Sequence, residues 1–246
     1  MRNYKEETEK RVEFIRNTLK NAHADGVVYG NSGGKDCTLV GILCKMATEN
    51  VLGVIMPCQS KRNYDEDTVH AKKAAEQYNI ETTTVDLTKV KETFENALCN
   101  EDITKTALSN INPRIRMATL YAIGQSRNYL VAGTGNRSER YMGYFTKWGD
   151  GACDFNPISD LTVKEIYEFL RYLNAPEEII KKAPSAALFE GQTDEMEMGI
   201  TYNSIDNYLL NNEIDEEDYK ILSSYHNRTK HKREPIPFYK NVDENC

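Results

Sequence analysis

The chain predicts a doubly wound parallel α/β sheet with helices on both faces, passing into a helical C-terminal part. Three observations support this reading. Short β-branched or apolar runs alternate with helical patterns over the first 133 residues. Two of those runs lead straight into glycine-bearing turns, as strands do at the ligand edge of such sheets. Beyond residue 150 the strand pattern stops and the chain turns helical and loop-rich.

In order, residues 2–24 place Val12, Ile15 and Leu19 at helical spacing among charges, predicting an amphipathic helix on one edge. Val27, Val28 and Tyr29 read as a first buried strand. Leu39, Val40, Ile42, Leu43 and Met46 mark the next helix, with Asp36 able to serve as its N-cap. Residues 51–56 form a near-continuous apolar run, a second central strand. Residues 65–78 follow as a helix with Ala71, Ala74, Ala75 and Tyr78 inward. Residues 82–86 are a third strand, Thr88 caps a further helix, 113–125 is a longer one, and 129–133 is a fourth strand. Helices are expected over 161–173, 176–181, 203–210 and 216–230, and residues 183–201 read as a long loop. All 246 residues are expected to form one domain, with 183–201 and 226–246 as a mobile lid and tail.

The bulk numbers narrow the partners. Charged residues make up 28% and the net charge is −7, which argues against nucleic acid or an anionic membrane surface. Mean hydropathy is −0.65 and no apolar run reaches spanning length, so a soluble protein is expected. The six cysteines form no CxxC pair and read as the reduced thiols of a cytoplasmic protein.

The chemistry begins at residues 26–38. Gly30, Asn31, Ser32, Gly33 and Gly34 allow a tight turn between strand and helix, whose amides and dipole suit a phosphate. The loop is not of the Walker type, because Tyr29 stands where that pattern needs glycine and Asp36 where it needs Ser or Thr. A carboxylate beside phosphates calls for a divalent cation between them, so Asp36 predicts Mg²⁺. The same residues would also serve as an unliganded turn. A second loop, residues 133–139, again follows a strand, with Thr134 as a hydrogen-bonding group and Glu139 as a second hard oxygen ligand. A third stretch, residues 143–157, gathers three glycines, the only tryptophan, Lys147 and Asp154, and reads as a pocket-shaping loop or a structural hairpin.

Ser32-Gly-Gly-Lys-Asp-Cys37 resembles the Ser-Gly-Gly-x-Asp-Ser loop of the adenine-nucleotide α-hydrolase (N-type ATP pyrophosphatase) superfamily. Gly133-Thr-Gly-Asn-x-Ser-Glu139, Gly143-Tyr-Phe-Thr-Lys-x-Gly-Asp-Gly-x-x-Asp154, Pro184-Ser-Ala-x-Leu-x-x-Gly-Gln-Thr-Asp-Glu195 and His231-Lys-Arg233 are similar to motifs of ammonia-dependent NAD synthetases within it. The resemblance covers nearly the whole chain and implies a Rossmann-like ATP pyrophosphatase fold. It implies ATP-dependent amidation of deamido-NAD with ammonia, through an adenylated carboxylate, releasing AMP and pyrophosphate.

Residue by residue, the family implies that Gly30, Asn31, Ser32, Gly33, Gly34, Lys35, Asp36 and Cys37 hold ATP, joined by Thr134 and Ser185. Asp36 and Glu139 would hold Mg²⁺, and Arg114, Lys147, Asp154, His231 and Lys232 would contact deamido-NAD. Asp36, Lys147 and Asp154 are the catalytic candidates. Two departures stand out: Cys37 replaces the loop serine, and Val163, with Lys164 one position later, replaces an ATP-contacting lysine. A phosphate loop beginning at residue 30 leaves no room for an amidohydrolase, hence ammonia as donor. The resemblance further implies a homodimer with the dinucleotide site at its interface, residues 2–24 and 107–125 being the candidate contacts. The rival readings are a tRNA-thiolating or GMP-forming relative, and a nucleotide sensor without turnover.

Overall fold

A computed structural model describes residues 2–58, 68–181 and 194–239. Helix α1 (Tyr4–Ala22) opens on Asn3, whose side chain accepts from Glu6 N, and closes on His23 in the left-handed conformation. There follow β1 (Gly26–Gly30), α2 (Lys35–Ala47), β2 (Val51–Ile55), α3 (Thr68–Gln77), β3 (Glu81–Thr84) and α4 (Thr88–Ala97). Then come α5 (Lys105–Ser109), α6 (Ile111–Arg127), β4 (Tyr129–Ala132) and α7 (Arg137–Met142). The helical part comprises α8 (Val163–Tyr172), α9 (Glu177–Lys181), α10 (Asp194–Met198), α11 (Tyr202–Asn211), α12 (Glu216–Arg228) and α13 (Lys230–Arg233).

The four strands among the described residues are all parallel, in the order β3-β2-β1-β4, with Val28 paired to Leu52 on one side and to Val131 on the other. The chain winds outward from β1 to β3 and then crosses back, so its direction reverses between β1 and β4. That switch point opens a crevice at the carboxyl ends of both strands. Residue 155 extends the β4 edge through a parallel bridge to Ala132.

Side-chain alternation sorts β1 between two cores. Val27 and Tyr29 join α1, α2 and α8 on one face, through residues such as Ile15, Leu39, Ile166 and Phe169. Val28, with Leu52, Val54 and Val131, packs against Leu120, Tyr121 and Ile123 of α6 on the other. A third cluster ties α7, α8 and α10 to α12 through Met142, Val163, Met198, Tyr202, Ile205 and Leu222. Tyr29 is fully buried, and a Cβ on Gly41 of α2 would lie 2.4 Å from its hydroxyl oxygen. The helix can lie this close to the strand only because residue 41 lacks a side chain.

The doubly wound expectation holds, and four local readings are corrected. Asp36 is not an N-cap: Gly34 takes that position, and Asp36 lies in the first turn. Glycine has no side chain to occupy the first-turn N–H groups, so the turn keeps them for an anion. Thr88 likewise is the first residue of α4 rather than its cap, which is Leu87, and Asp86 accepts the Thr88 N–H at 2.9 Å. The loop expected over 183–201, of which residues 183–193 lie outside the described residues, contains α10, and the helix expected over 216–230 runs on as α12 and α13 through Arg233. Short α5 lies where no element is expected.

Candidate active site

The phosphate loop and the 133–139 loop flank one cleft of about 610 Å³. Its floor is the carboxyl edge of β1 and β4, with Gly30, Asn31, Ser32 and Thr134 among the lining residues. Residues 143–146 form one wall, α6 contributes Arg116 and Met117, and Arg228, Thr229 and Lys232 line it from α12 and α13. The volume and the mix of apolar wall and convergent polar groups suit a bound small molecule.

At its base lies a charged cluster. Lys35 is buried, and its Nζ donates to Asp36 Oδ2 at 2.7 Å and stands 4.0 Å from Glu139 Oε1. Asn136 joins the two carboxylates from the other side. Its Nδ2 donates to Asp36 Oδ1 at 3.1 Å and its N–H to Glu139 Oε2 at 3.2 Å, while its own Oδ1 accepts Glu139 N at 2.9 Å. The last two bonds are a capping box that starts α7. Burial and then the neighbouring Asp36 charge push the Glu139 carboxyl up to about 8, against the opposing pull of Lys35. For Lys35, burial works against the charge, yet Asp36 and Glu139 more than restore it and its pKa rises.

Asn31 sets the loop: its Nδ2 donates to Ala71 O at 3.1 Å and its Oδ1 accepts Gly33 N at 3.2 Å. Cys37 turns its thiol back on the same loop, donating to Gly34 O at 3.2 Å, with Ser32 Oγ at 3.4 Å. The replacement of a hydroxyl at this position therefore changes a group that faces its own turn. Val163 is buried in the third cluster, whereas Lys164 is exposed. No lysine of this pair lines the cleft.

The residues assigned to deamido-NAD separate into three places. Lys232 lines the cleft, its Nζ donating to Gly143 O at 2.8 Å and Phe145 O at 2.7 Å. Lys147, Arg114 and His231 gather on a rim outside the cleft lining: Lys147 Nζ donates to His231 O at 2.6 Å, and Arg114 Nη2 lies 3.5 Å from Lys147 O. Asp154 stands apart on the β4 edge, where Oδ2 accepts Val131 N at 2.7 Å and Oδ1 accepts the Tyr121 hydroxyl at 3.3 Å. Ser185 lies outside the described residues.

Asn136, Arg116 and Tyr202 stand at the site but are not among the residues the sequence singles out. Asn136 did carry a signal, since Asn followed three residues later by Glu spells a capping box. Arg116, which donates to Met56 O at 3.1 Å, and Tyr202, whose ring lies 5.7 Å from Lys35 Nζ, carried none.

A family model described as NAD synthase matches residues 7–236. The chain is 46% identical over 235 residues to the NH(3)-dependent NAD(+) synthetase of Carboxydothermus hydrogenoformans, covering 94% of this chain and 96% of that one. Among solved structures, NMN synthetase from Francisella tularensis superposes with a TM-score of 0.93 at 35% identity, covering 98% of this chain and 100% of that one. NH3-dependent NAD synthetase from Campylobacter jejuni superposes at 0.79 with 34% identity, covering 97% and 100%.

Proposed function

The chain belongs to the NAD synthase family, and from that premise we propose that it amidates deamido-NAD to NAD with ATP and ammonia. The observation that carries the reading is the pair of glycine loops at the switch point, with Asp36 and Glu139 brought to one cluster. The nicotinate carboxylate attacks the ATP α-phosphorus and pyrophosphate leaves. Ammonia then attacks the acyl carbon of the adenylate and AMP leaves. No protein nucleophile is required, so the work of the chain is positioning and charge neutralisation.

Gly30 to Cys37 present the α2 N-terminus to the phosphates, and Thr134 and Ser185 are assigned to ATP beside them. Asp36 Oδ2 and Glu139 Oε1 lie 2.7 and 4.0 Å from Lys35 Nζ, and as hard oxygens the two carboxylates would hold Mg²⁺. When bound, Mg²⁺ supplies neutralisation of the charge on the leaving pyrophosphate. Asn136 holds both carboxylates in place. Lys232 holds the 143–145 wall, and Arg114, Lys147 and His231 form a cationic rim for deamido-NAD. Asp154 is assigned to ammonia and dinucleotide positioning through its hold on β4; an Asp154→Asn rate unchanged at low ammonia rejects that role.

The rim lies outside the cleft, which favours a homodimer that completes the dinucleotide site across the interface. Of the two expected contact helices, α1 spends Val12, Ile15 and Leu19 on its own core. Helix α6 buries only Ile111 and Gly124, and Val90 and Phe94 of neighbouring α4 are each 48% exposed, so this face is the better candidate. No described helix is long and apolar enough to cross a membrane, and we assign the enzyme to the cytoplasm on its cysteine usage.

The test is incubation with Mg-ATP and ammonium, with and without deamido-NAD, following AMP and pyrophosphate. Release independent of deamido-NAD rejects the proposal. The likeness to NMN synthetase favours a parallel arm with nicotinate mononucleotide. Turnover of that compound in preference to the dinucleotide assigns the same amidation to the mononucleotide instead.

A further inference from the structure

Each carboxylate of the Asp36–Glu139 pair has one oxygen on Asn136: Asp36 Oδ1 on its side-chain amide and Glu139 Oε2 on its N–H. The other two oxygens, Asp36 Oδ2 and Glu139 Oε1, face the Lys35 ammonium at 2.7 and 4.0 Å. Lys35 is only 7% exposed, and its ammonium also lies 5.7 Å from the centroid of the Tyr202 ring, itself buried. A buried ammonium between two carboxylates is their resident counter-ion, and removing it leaves uncompensated charge. The oxygens it occupies are the ones a divalent cation would need.

We propose that Lys35 and the divalent cation compete for Asp36 Oδ2 and Glu139 Oε1, so that the cation binds well only when a nucleotide phosphate takes over the Lys35 ammonium. This rests on the ATP and Mg²⁺ reading above. Two like charges a few ångströms apart at a site of low dielectric repel strongly, so both cannot keep the same oxygens. Phosphate oxygens of the nucleotide held on the adjoining loop are the natural new partner for an ammonium that starts at the first residue of α2. Metal and nucleotide then reinforce each other, and by reciprocity each raises the other's affinity by the same factor.

The experiment follows Mn²⁺ binding by the loss of its free electron-paramagnetic-resonance signal, with and without α,β-methylene ATP. It uses the wild-type chain, Lys35→Gln, Lys35→Met and Lys35→Arg. Wild type is expected to bind Mn²⁺ alone weakly and roughly tenfold or more tighter with the analogue, within the usual range of coupling. Lys35→Gln, which keeps a donor but loses the charge, should bind Mn²⁺ alone roughly tenfold tighter than wild type and gain less from the analogue. Lys35→Arg should behave as wild type. Lys35→Met keeps the apolar stem and serves if the glutamine variant does not fold.

A folded, uncharged variant that binds Mn²⁺ alone no tighter than wild type overturns the proposal. So does a wild type whose Mn²⁺ affinity ignores the analogue. If the analogue itself does not bind wild type, the ATP reading fails, while the metal-only comparison still decides the role of Lys35.

Discussion

Gly143→Ala probes the joint between the 133–139 loop and the pocket wall. Gly143 closes α7 in the left-handed region at φ 67°, its N–H bonding back to Arg140 O and Glu139 O. An alanine there bears a backbone cost of about 1–2 kcal/mol. Its Cβ would also lie 2.2 Å from Thr229 Oγ1 and 2.3 Å from Thr229 Cβ. Thr229 cannot step aside freely, since it is buried and its Oγ1 donates to Tyr225 O at 2.6 Å and accepts Arg233 Nη1 at 2.7 Å. Overpacking of this kind adds about 1–3 kcal/mol. The sum, about 2–5 kcal/mol, lowers Tm by about 4–20 °C for a chain of this size. Thermal unfolding followed by circular dichroism measures it. In a Thr229→Gly background, which removes the clashing atoms, the same substitution should cost only its backbone share. A loss of less than about 2 °C in the parent, or an unchanged loss in the Thr229→Gly background, refutes the steric reasoning.

Gly41→Ala should destabilise by about 1 kcal/mol in urea, because overpacking against Tyr29 outweighs the gain in helix propensity; Tyr29→Phe should recover part of the loss. Asn136→Ala removes a cap and a shared carboxylate partner, so we expect about 1 kcal/mol less stability and roughly ten- to a hundredfold weaker Mn²⁺ binding. Titration of Mn²⁺ in the presence of the ATP analogue reads the second effect, and an unchanged affinity contradicts the role given to Asn136. Asp160 contacts Arg11 at 2.7 Å and Arg2 at 3.0 Å, and although burial opposes it, these arginines lower its pKa below 3.8. A carboxylate lowered in the folded state contributes stability above its unfolded pKa and loses it as pH falls through the folded value. Asp160→Asn should therefore cost about 1 kcal/mol at pH 7 and nothing once both proteins are well below pH 3.8, as urea curves at the two pH values would report.

The parallel sheet and its ligand edge were legible because their signals are local. β1 and β2 are five-residue strands with four and five residues buried, and the two glycine turns sit directly behind β1 and β4. Which core each residue of β1 enters follows from the alternation of a strand, Val27 and Tyr29 to one and Val28 to the other. Cap positions were less legible, because an acidic residue near a helix start suits either a cap or a ligand. At Asp36 the second use prevails: Gly34 makes the turn, leaving the carboxylate for Lys35 and Asn136. β3 runs over 81–84 rather than the expected 82–86, since Thr82, Thr83 and Thr84 carry no inward and outward contrast to set an edge.

What local pattern could not reveal is why Glu139 stands where it does. Ser138, beside it on α7, donates to Asp206 Oδ1 at 2.5 Å, and Asp206 Oδ2 accepts the N–H of Lys164 at 2.7 Å. Val163 N in turn donates to Ser138 Oγ at 3.3 Å. Asp206 is almost wholly buried, and burial pushes its carboxyl up even though these donors pull it down. A single aspartate in the middle of α11 thus joins the start of α8 to α7, across 42 and 68 residues of chain. In the sequence it is one acid in an amphipathic helix, indistinguishable from a solvated one. Through this connection the helical part fixes α7, and α7 carries both Asn136 at its cap and Glu139 in its first turn. Asp206→Ala should then weaken Mn²⁺ binding with the ATP analogue as well as stability, whereas Glu217→Ala, at an exposed position in the first turn of α12, should leave metal binding unchanged. Equal metal affinity in the two variants would detach the helical part from the site.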